Sequence, residues 1–172
     1  ARLRTEAWGR KCRFDFFVEL CQITHADAVL TAHHMDDQAE TVLMHILRGA
    51  GPDGLAGMRV SAQMGEWRLV RPLLGVSRRE IIAFLKSRRI PYVRDSTNQS
   101  VRYLRNKIRH KLIPFLESRF RKDVKKLLSH LAVTSAEQSE CMEEYAEHAW
   151  KDVVVEHSKG EVAFDFGKLS GV

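Results

Sequence analysis

The densest concentration of side chains able to do chemistry is His33-His34-Met35-Asp36-Asp37-Gln38-Ala39-Glu40-Thr41. Two adjacent carboxylates at a turn can hold Mg²⁺ beside a phosphate, accept a proton or bind an ammonium group, and a nearby histidine can polarise a leaving oxygen. A plainer use is also open: Asp36 or Asp37 caps a helix, Glu40 completes a capping box three positions after Asp37, and the histidines lie on the surface. His-His together with Asp-Asp exceeds what a cap needs, which favours chemistry.

Two further stretches could serve such a site. Arg48-Gly49-Ala50-Gly51 and Gly54-Leu55-Ala56-Gly57 form a donor-rich backbone with one cation, suited to close approach by a phosphate, although glycines after a helix are more simply C-cap and turn residues. Asp95-Ser96-Thr97-Asn98 reads as a turn ahead of Arg102, Arg105, Asn106 and Arg109. Arginine forks suit phosphates and base edges, and the same residues could equally be a solvated helix face. A zinc site has little support. Cys21 and His25 are an isolated pair, and Cys12, Cys21 and Cys141 are too few and too scattered for a disulfide framework, so buried reduced thiols are expected.

The elements that would position these residues follow from hydrophobic spacing. Leu3 to Leu20 carries Leu3, Ala7, Trp8, Cys12, Phe16, Phe17 and Leu20 at helical intervals, and Ala28 to Ala32 is a short apolar run of the kind a buried parallel strand shows. A helix capped by Asp36 or Asp37 and ending at Gly49 comes next. Met58 to Met64 and Trp67 to Val70 read as strands around Gly65-Glu66, Ser77 with Glu80 opens another helix to about Ser87, and Pro91-Tyr92-Val93 reads as a strand. From Val101 the chain turns helical and basic, with Val101, Leu104, Ile108, Leu112 and Phe115 on one face and a kink or break expected at Pro114. A last amphipathic helix spans about Asp123 to Trp150, with Val124, Leu127, Leu128, Leu131, Met142 and Tyr145 inward. A hairpin about Ser158-Lys159-Gly160 follows.

Helix, strand, loop and helix in this order predict an α/β fold with a doubly wound, mostly parallel sheet, followed by a mainly helical segment. Ligands of such sheets sit beyond the carboxyl ends of the strands, which is where the His-His-x-Asp-Asp turn falls. The division is set near Glu117: residues 1–117 form the catalytic part, and 118–172 a helical linker or small subdomain with a C-terminal hairpin. At 172 residues the chain can bury a genuine core. Lys and Arg number 28 against 22 Asp and Glu, giving a net charge of +6, which permits a polyanionic partner without identifying one. No run approaches the ~20 apolar residues of a membrane helix and the basic start leads into no signal-peptide core, so a cytoplasmic protein with no membrane partner is expected.

HHMDDQAET, RGAGPDGLAGM, RPLL, DSTN and RNKIR occur here in the order and spacing of the tRNA(Ile)-lysidine synthetases, and the sequence resembles that family from about Arg2 through Glu117. The resemblance implies an adenine nucleotide alpha hydrolase-like domain of the ATP-pyrophosphatase (PP-loop) superfamily. The family's first strand and its Ser-Gly-Gly-x-Asp-Ser loop are not matched, so the resemblance implies a fold incomplete at the N-terminus and a piece inactive on its own. The activity implied is ligation of free L-lysine to the 2-position carbon of the wobble cytidine of tRNA(Ile) with a CAU anticodon, with ATP and Mg²⁺, through an adenylated cytidine; homodimerisation stays open. Roles implied by the resemblance are catalysis by His33, Asp37 and Arg105, lysine binding by Asp37 and Glu40, and nucleotide binding by Arg48, Gly49 and Asn106. Arg102, Lys107 and Arg109 would bind tRNA, and Asp36 would hold Mg²⁺. Two alternatives remain: a tRNA thiolation enzyme of the same superfamily, which would need cysteines at sulfur-holding spacing, and a non-catalytic basic RNA-binding module.

Overall fold

Residues 6–93, 104–158 and 161–169 are described by a computed structural model of the chain. Helix α1 (Glu6–Thr24) leads into strand β1 (Ala28–Leu30), and α2 (Met35–Ile46) follows after a short break. A short helix α3 (Pro52–Leu55) precedes strands β2 (Ser61–Met64) and β3 (Trp67–Val70) and helix α4 (Arg78–Ser87). After residues 94–103, α5 (Leu104–Lys107), a π-helical turn (Ile108–Leu112) and α6 (Ile113–Phe120) run on continuously into one another. Helix α7 (Val124–Val153), strands β4 (Val154–Ser158) and β5 (Glu161–Phe164), and a final short helix α8 (Phe166–Leu169) complete the order.

The first sheet has the order β1-β3-β2, with β1 parallel to β3 and β2 antiparallel to it. The expected mostly parallel sheet is therefore a mixed one among the described residues, because the tight turn at Gly65-Glu66 returns β3 directly alongside β2. Alternation along the strands places Trp67, Leu69, Met64 and Val29 on one face, where Phe14, Phe17 and Cys21 of α1 pack against them. Phe17 meets Trp67 edge-on at 6.4 Å between ring centroids. The stripe of α1 that packs on the sheet is thus the buried Cys21 with the half-buried Phe14 and Phe17, while Trp8, Cys12, Phe16 and Leu20 from the expected face are exposed. On the other sheet face Leu30 and Arg68 are exposed. Pro91-Tyr92-Val93 forms no strand.

A second core lies between α2 and the basic helix: Ala39, Leu43, Ile108 and Ile113 are buried together, with Met44, Leu112 and Leu128 against them. Pro114 does not break the helix. The Ile113 N–H bonds to the Ile108 carbonyl five residues back, so the wider turn comes just before the proline, which then sits in the first turn of α6, where its missing donor costs least. That turn adds one residue and advances the buried face. Ile113 is 1% exposed, whereas Phe115, placed inward by a regular α-helical count, is 60% exposed.

Helix α7 begins at Asp123, whose side chain accepts the Lys126 N–H. It packs on α2 and α3 through Leu128, one of the large residues expected inward, and through Ala132, with Ser135 and Ser139 also buried, while the other large residues expected inward contribute little. Leu127, Leu131, Met142 and Tyr145 are exposed. Small side chains let the helices approach closely, so volume outweighs hydropathy along this stripe. Arg59 pins the same helix, donating to the Ala136 carbonyl and to Glu140. The β4–β5 hairpin forms as expected and rests on the end of α7, where Trp150 and Phe164 meet edge-on.

Burial of Ile113 in place of Phe115 has a measurable consequence. Ile113→Ala is expected to lower unfolding stability by about 2–4 kcal/mol, as truncations of buried isoleucine do, and Phe115→Ala by less than about 1 kcal/mol. Urea unfolding of the two variants checks the order, and a regular α-helix through Leu112 would reverse it.

Candidate active site

The acidic turn is built by the start of α2. His34, in extended conformation, is the N-cap: its ring accepts the Asp37 N–H, and its own N–H donates to the Asp37 carboxylate. The expected cap, Asp36 or Asp37 with Glu40 as partner, is displaced by three positions, so Asp37 takes the partner's place in the box. Glu40 is thereby released from capping and stands one turn further on, on the same helix face as Asp37.

That face meets the arginines of the basic helix. Arg105 and Arg109 are four residues apart, and each reaches both carboxylates. The Arg105 Nε donates to Glu40 at 2.8 Å and its terminal nitrogen lies 3.3 Å from Asp37. Arg109 donates through Nε and a terminal nitrogen to the two Glu40 oxygens, with the terminal nitrogen 3.1 Å from Asp37. The Glu40 side chain is 1% exposed, against 15% for Asp37. Glu40 holds the Arg109 guanidinium above its ordinary pKa against the opposing effect of burial, with Asp37 and Asp36 adding to the attraction.

Asp36 points elsewhere. Its Oδ1 accepts the Arg78 N–H at the start of α4, and its Oδ2 pairs with Lys125 of α7 at 2.7 Å. Burial alone would raise its carboxyl; hydrogen bonds from Lys125 and from the Arg78 backbone outweigh that and hold it below the usual carboxylate value. One carboxylate thus ties together the starts of three helices. Both its oxygens are engaged, one by a cation, which does not fit the expected Mg²⁺ ligand, and among the described residues no group of three or more His, Cys, Asp or Glu could hold a metal ion. His33 lies half-buried at the end of the β1 segment, its Nδ1 2.9 Å from the Thr31 hydroxyl.

The structure brings Asp37, Glu40, Arg105 and Arg109 together and sets His33 at the same end of α2. Other expected site residues fall differently. Arg109 pairs with Glu40 and Asp37; Lys107 is exposed on α5, Asn106 is half-buried beside Arg105, and Arg102 lies outside the described residues, as does the Asp95–Asn98 turn. Glu40 has both oxygens bonded by Arg105 and Arg109. Arg48 and Gly49 lie at the other end of the twelve-residue α2, roughly 15–18 Å from its start, at the negative pole of the helix dipole, where an anion is disfavoured. Gly49 adopts φ +72° to end the helix. Gly57, at φ +61°, lies against the buried Gln38 amide, which bonds to Ala56 and Met58: the glycine motif docks its loop on α2. Arg71 of the Arg-Pro-Leu-Leu motif is likewise buried, bonded to the Arg59 carbonyl.

Lys125 was not anticipated from sequence. It stands just inside an ordinary capped helix start, and only the packing of α7 on α2 brings it to Asp36. The cysteines also depart from expectation: Cys21 is buried, but Cys12 and Cys141 are exposed, on α1 and α7, and all three are free.

A family model described as the PP-loop domain matches residues 1–116. The chain belongs to the PP-loop family. An α/β fold of the adenine nucleotide alpha hydrolase type goes with that membership. This PP-loop chain is similar to the tRNA(Ile)-lysidine synthase of Thermosynechococcus vestitus, 37% identical over 154 residues that cover 90% of the chain and 45% of the relative. It is also similar to those of Chlorobaculum tepidum and Geobacter sulfurreducens, each 45% identical over 115 residues, covering 67% of the chain and 34% and 24% of the relatives. The chain spans less than half the length of these curated relatives. No described helix is long and apolar enough to cross a membrane.

Two variants test the site. Glu40→Gln leaves two guanidiniums facing a neutral amide, and a loss of about 2–4 kcal/mol is expected in urea unfolding at neutral pH, the range for breaking a buried pair from one side, reduced because the arginines are partly exposed. For Asp36 the sign follows from its lowered folded pKa: its contribution is present above the unfolded value of about 4 and is lost as pH falls through the folded value. Asp36→Asn is therefore expected to be less stable than the parent at pH 7, with the gap closing toward pH 2; a gap independent of pH would contradict the assignment.

Proposed function

We propose that this PP-loop chain carries catalytic residues of a tRNA(Ile)-lysidine synthase, which uses ATP to join lysine to the wobble cytidine of a CAU-anticodon tRNA(Ile). The observation that carries the reading is the clasp of Asp37 and Glu40 by Arg105 and Arg109. It joins the HHMDDQAET and RNKIR segments, 65 or more residues apart in sequence, in a chain similar to proteins of that name.

The reaction has two steps. The cytosine 2-oxygen attacks the α-phosphate of ATP, forming an oxygen–phosphorus bond as the bond to pyrophosphate breaks. The lysine ε-amine then attacks C2 and the carbon–oxygen bond breaks, releasing AMP. Lysine arrives charged, with a side-chain pKa of about 10.4, so a carboxylate attracts it but a proton must leave before attack. Asp37 is the residue for this contact: it is the less buried carboxylate of the clasp and on the same helix face as Glu40. Glu40 serves by positioning Arg105 and Arg109, whose guanidiniums keep positive charge beside the reacting phosphate. His33 assists adenylation from the strand end. Asp36, engaged on both oxygens, would not hold Mg²⁺, and no step of this reading depends on that ion.

The same reading divides the chain near Glu117 and places the protein in the cytoplasm, where its tRNA would be modified. The thiolation alternative gains nothing from the cysteines, two of which lie exposed on separate helices.

The full-length protein, incubated with tRNA(Ile), ATP and radiolabelled lysine, is expected to place label in the wobble nucleoside. Asp37→Ala and Arg105→Ala should each slow labelling by about 10²-fold or more, the usual scale for a lost acid–base or charge-stabilising group. Absence of label in the parent, or rates within a few fold in both variants, would overturn the assignment.

A further inference from the structure

We propose that the groove between α4 and the start of α7 is a track for the RNA phosphodiester backbone, leading the strand to the acidic turn at the head of α2. The inference rests on the tRNA reading above and adds a surface to it. The groove has a volume of about 900 Å³, with Arg78, Arg79 and Lys86 of α4 and Lys125 and Lys126 of α7 among its lining residues. Lys125 is used inside the protein, on Asp36. Arg79, Lys86 and Lys126 are exposed and have no ion-pair partner among the described residues.

Four carboxylates also line the groove, Asp36, Glu80, Asp123 and Glu117, and three of them are bonded within the protein. Asp36 is neutralised by Lys125, Asp123 accepts the Lys126 N–H as the cap of α7, and Glu80 accepts the Ser77 hydroxyl and N–H at the start of α4. Those bonds from Ser77 are the main reason the Glu80 carboxyl lies below its ordinary value, and the attraction of Arg79 and Lys126 is a lesser one. The helix starts at this groove are already capped, by His34, Ser77 and Asp123, so the attraction for an anion comes from side chains and not from open N–H groups.

Spacing favours a strand over a single phosphate. Arg79 and Lys86 are seven residues apart on α4, about 10 Å along its axis and on the same side, so they would meet successive phosphates. Continuity fixes where the strand leads. Asp36, Arg78 and Lys125 line both this groove and a smaller cavity of about 250 Å³ that includes His34, Glu40 and Arg109.

The test measures tRNA affinity of the full-length protein across a range of salt concentrations. The parent is compared with Arg79→Ala/Lys86→Ala/Lys126→Ala and with Lys11→Ala/Arg13→Ala/Arg68→Ala, which removes the same charge from exposed positions on α1 and β3. Each lost single-strand phosphate contact removes about 0.7 from the slope of log K against log salt, so the groove variant should be shallower by about 2 and bind about 10- to 100-fold more weakly near 0.1 M salt. The control variant should keep the parental slope, and Arg79→Lys/Lys86→Arg/Lys126→Arg should restore most of the affinity. Thermal unfolding identical to the parent establishes that the groove variant is folded. An unchanged slope in the groove variant, or an equal loss in the control, overturns the proposal. Failure of the enzymatic reading is scored separately, by absence of labelled wobble nucleoside in the parent, whichever way the slopes fall.

Discussion

A carboxylate removed from water must be paired, and Glu40 is the place where that requirement organises this molecule. Burying an ion costs several kcal/mol even after relaxation, and the cost is met only when charge and hydrogen-bonding capacity are both satisfied. Arg105 and Arg109 do this together, since their planar forks cover both Glu40 oxygens and extend to Asp37. The basic helix is therefore held to α2 in one register. Beneath the clasp, Ile108 and Ile113 close over Ala39 and Leu43, so the polar and apolar parts of the interface specify the same docking.

The π-helical turn reconciles two spacings that a regular helix would set against each other. Arg105 and Arg109 need α-helical spacing to share one carboxylate, while Ile108 and Ile113, five apart, must both face the core. A wider turn beginning at Ile108 permits both, and it falls where Pro114 would otherwise crowd the preceding turn. Ion pairing, core packing and a proline are thus accommodated within about ten residues.

The two aspartates of the acidic turn, adjacent in sequence, are separated in environment. Asp37 belongs to the clasp and keeps some exposure; Asp36 is bound by a backbone N–H of α4 and the ammonium of Lys125. Because Lys125 lies on α7, outside the segment matched to the PP-loop model, the helix after that segment is tied to the head of α2 by charge as well as by packing. A residue remote in sequence thereby sets the state of a carboxylate in the turn.

Much of this was legible in the sequence. Local patterns determined α2, α4, the β2–β3 hairpin, the length of α7 and the clustering of ionisable side chains at His33 to Glu40, because caps, turns and short apolar runs act over a few residues. The order of five motifs pointed to the family for the same reason. What only the tertiary structure decided was the partner of each charge: that Arg109 turns inward to Glu40 instead of outward, that Asp36 receives Lys125, that Arg48 and Gly49 end a helix at its far pole, and that Ala132, not Leu131, faces the core. Those outcomes depend on which helices meet and how closely, and neither burial nor distance is written into residue spacing once a π-turn shifts the phase or a close approach selects small side chains.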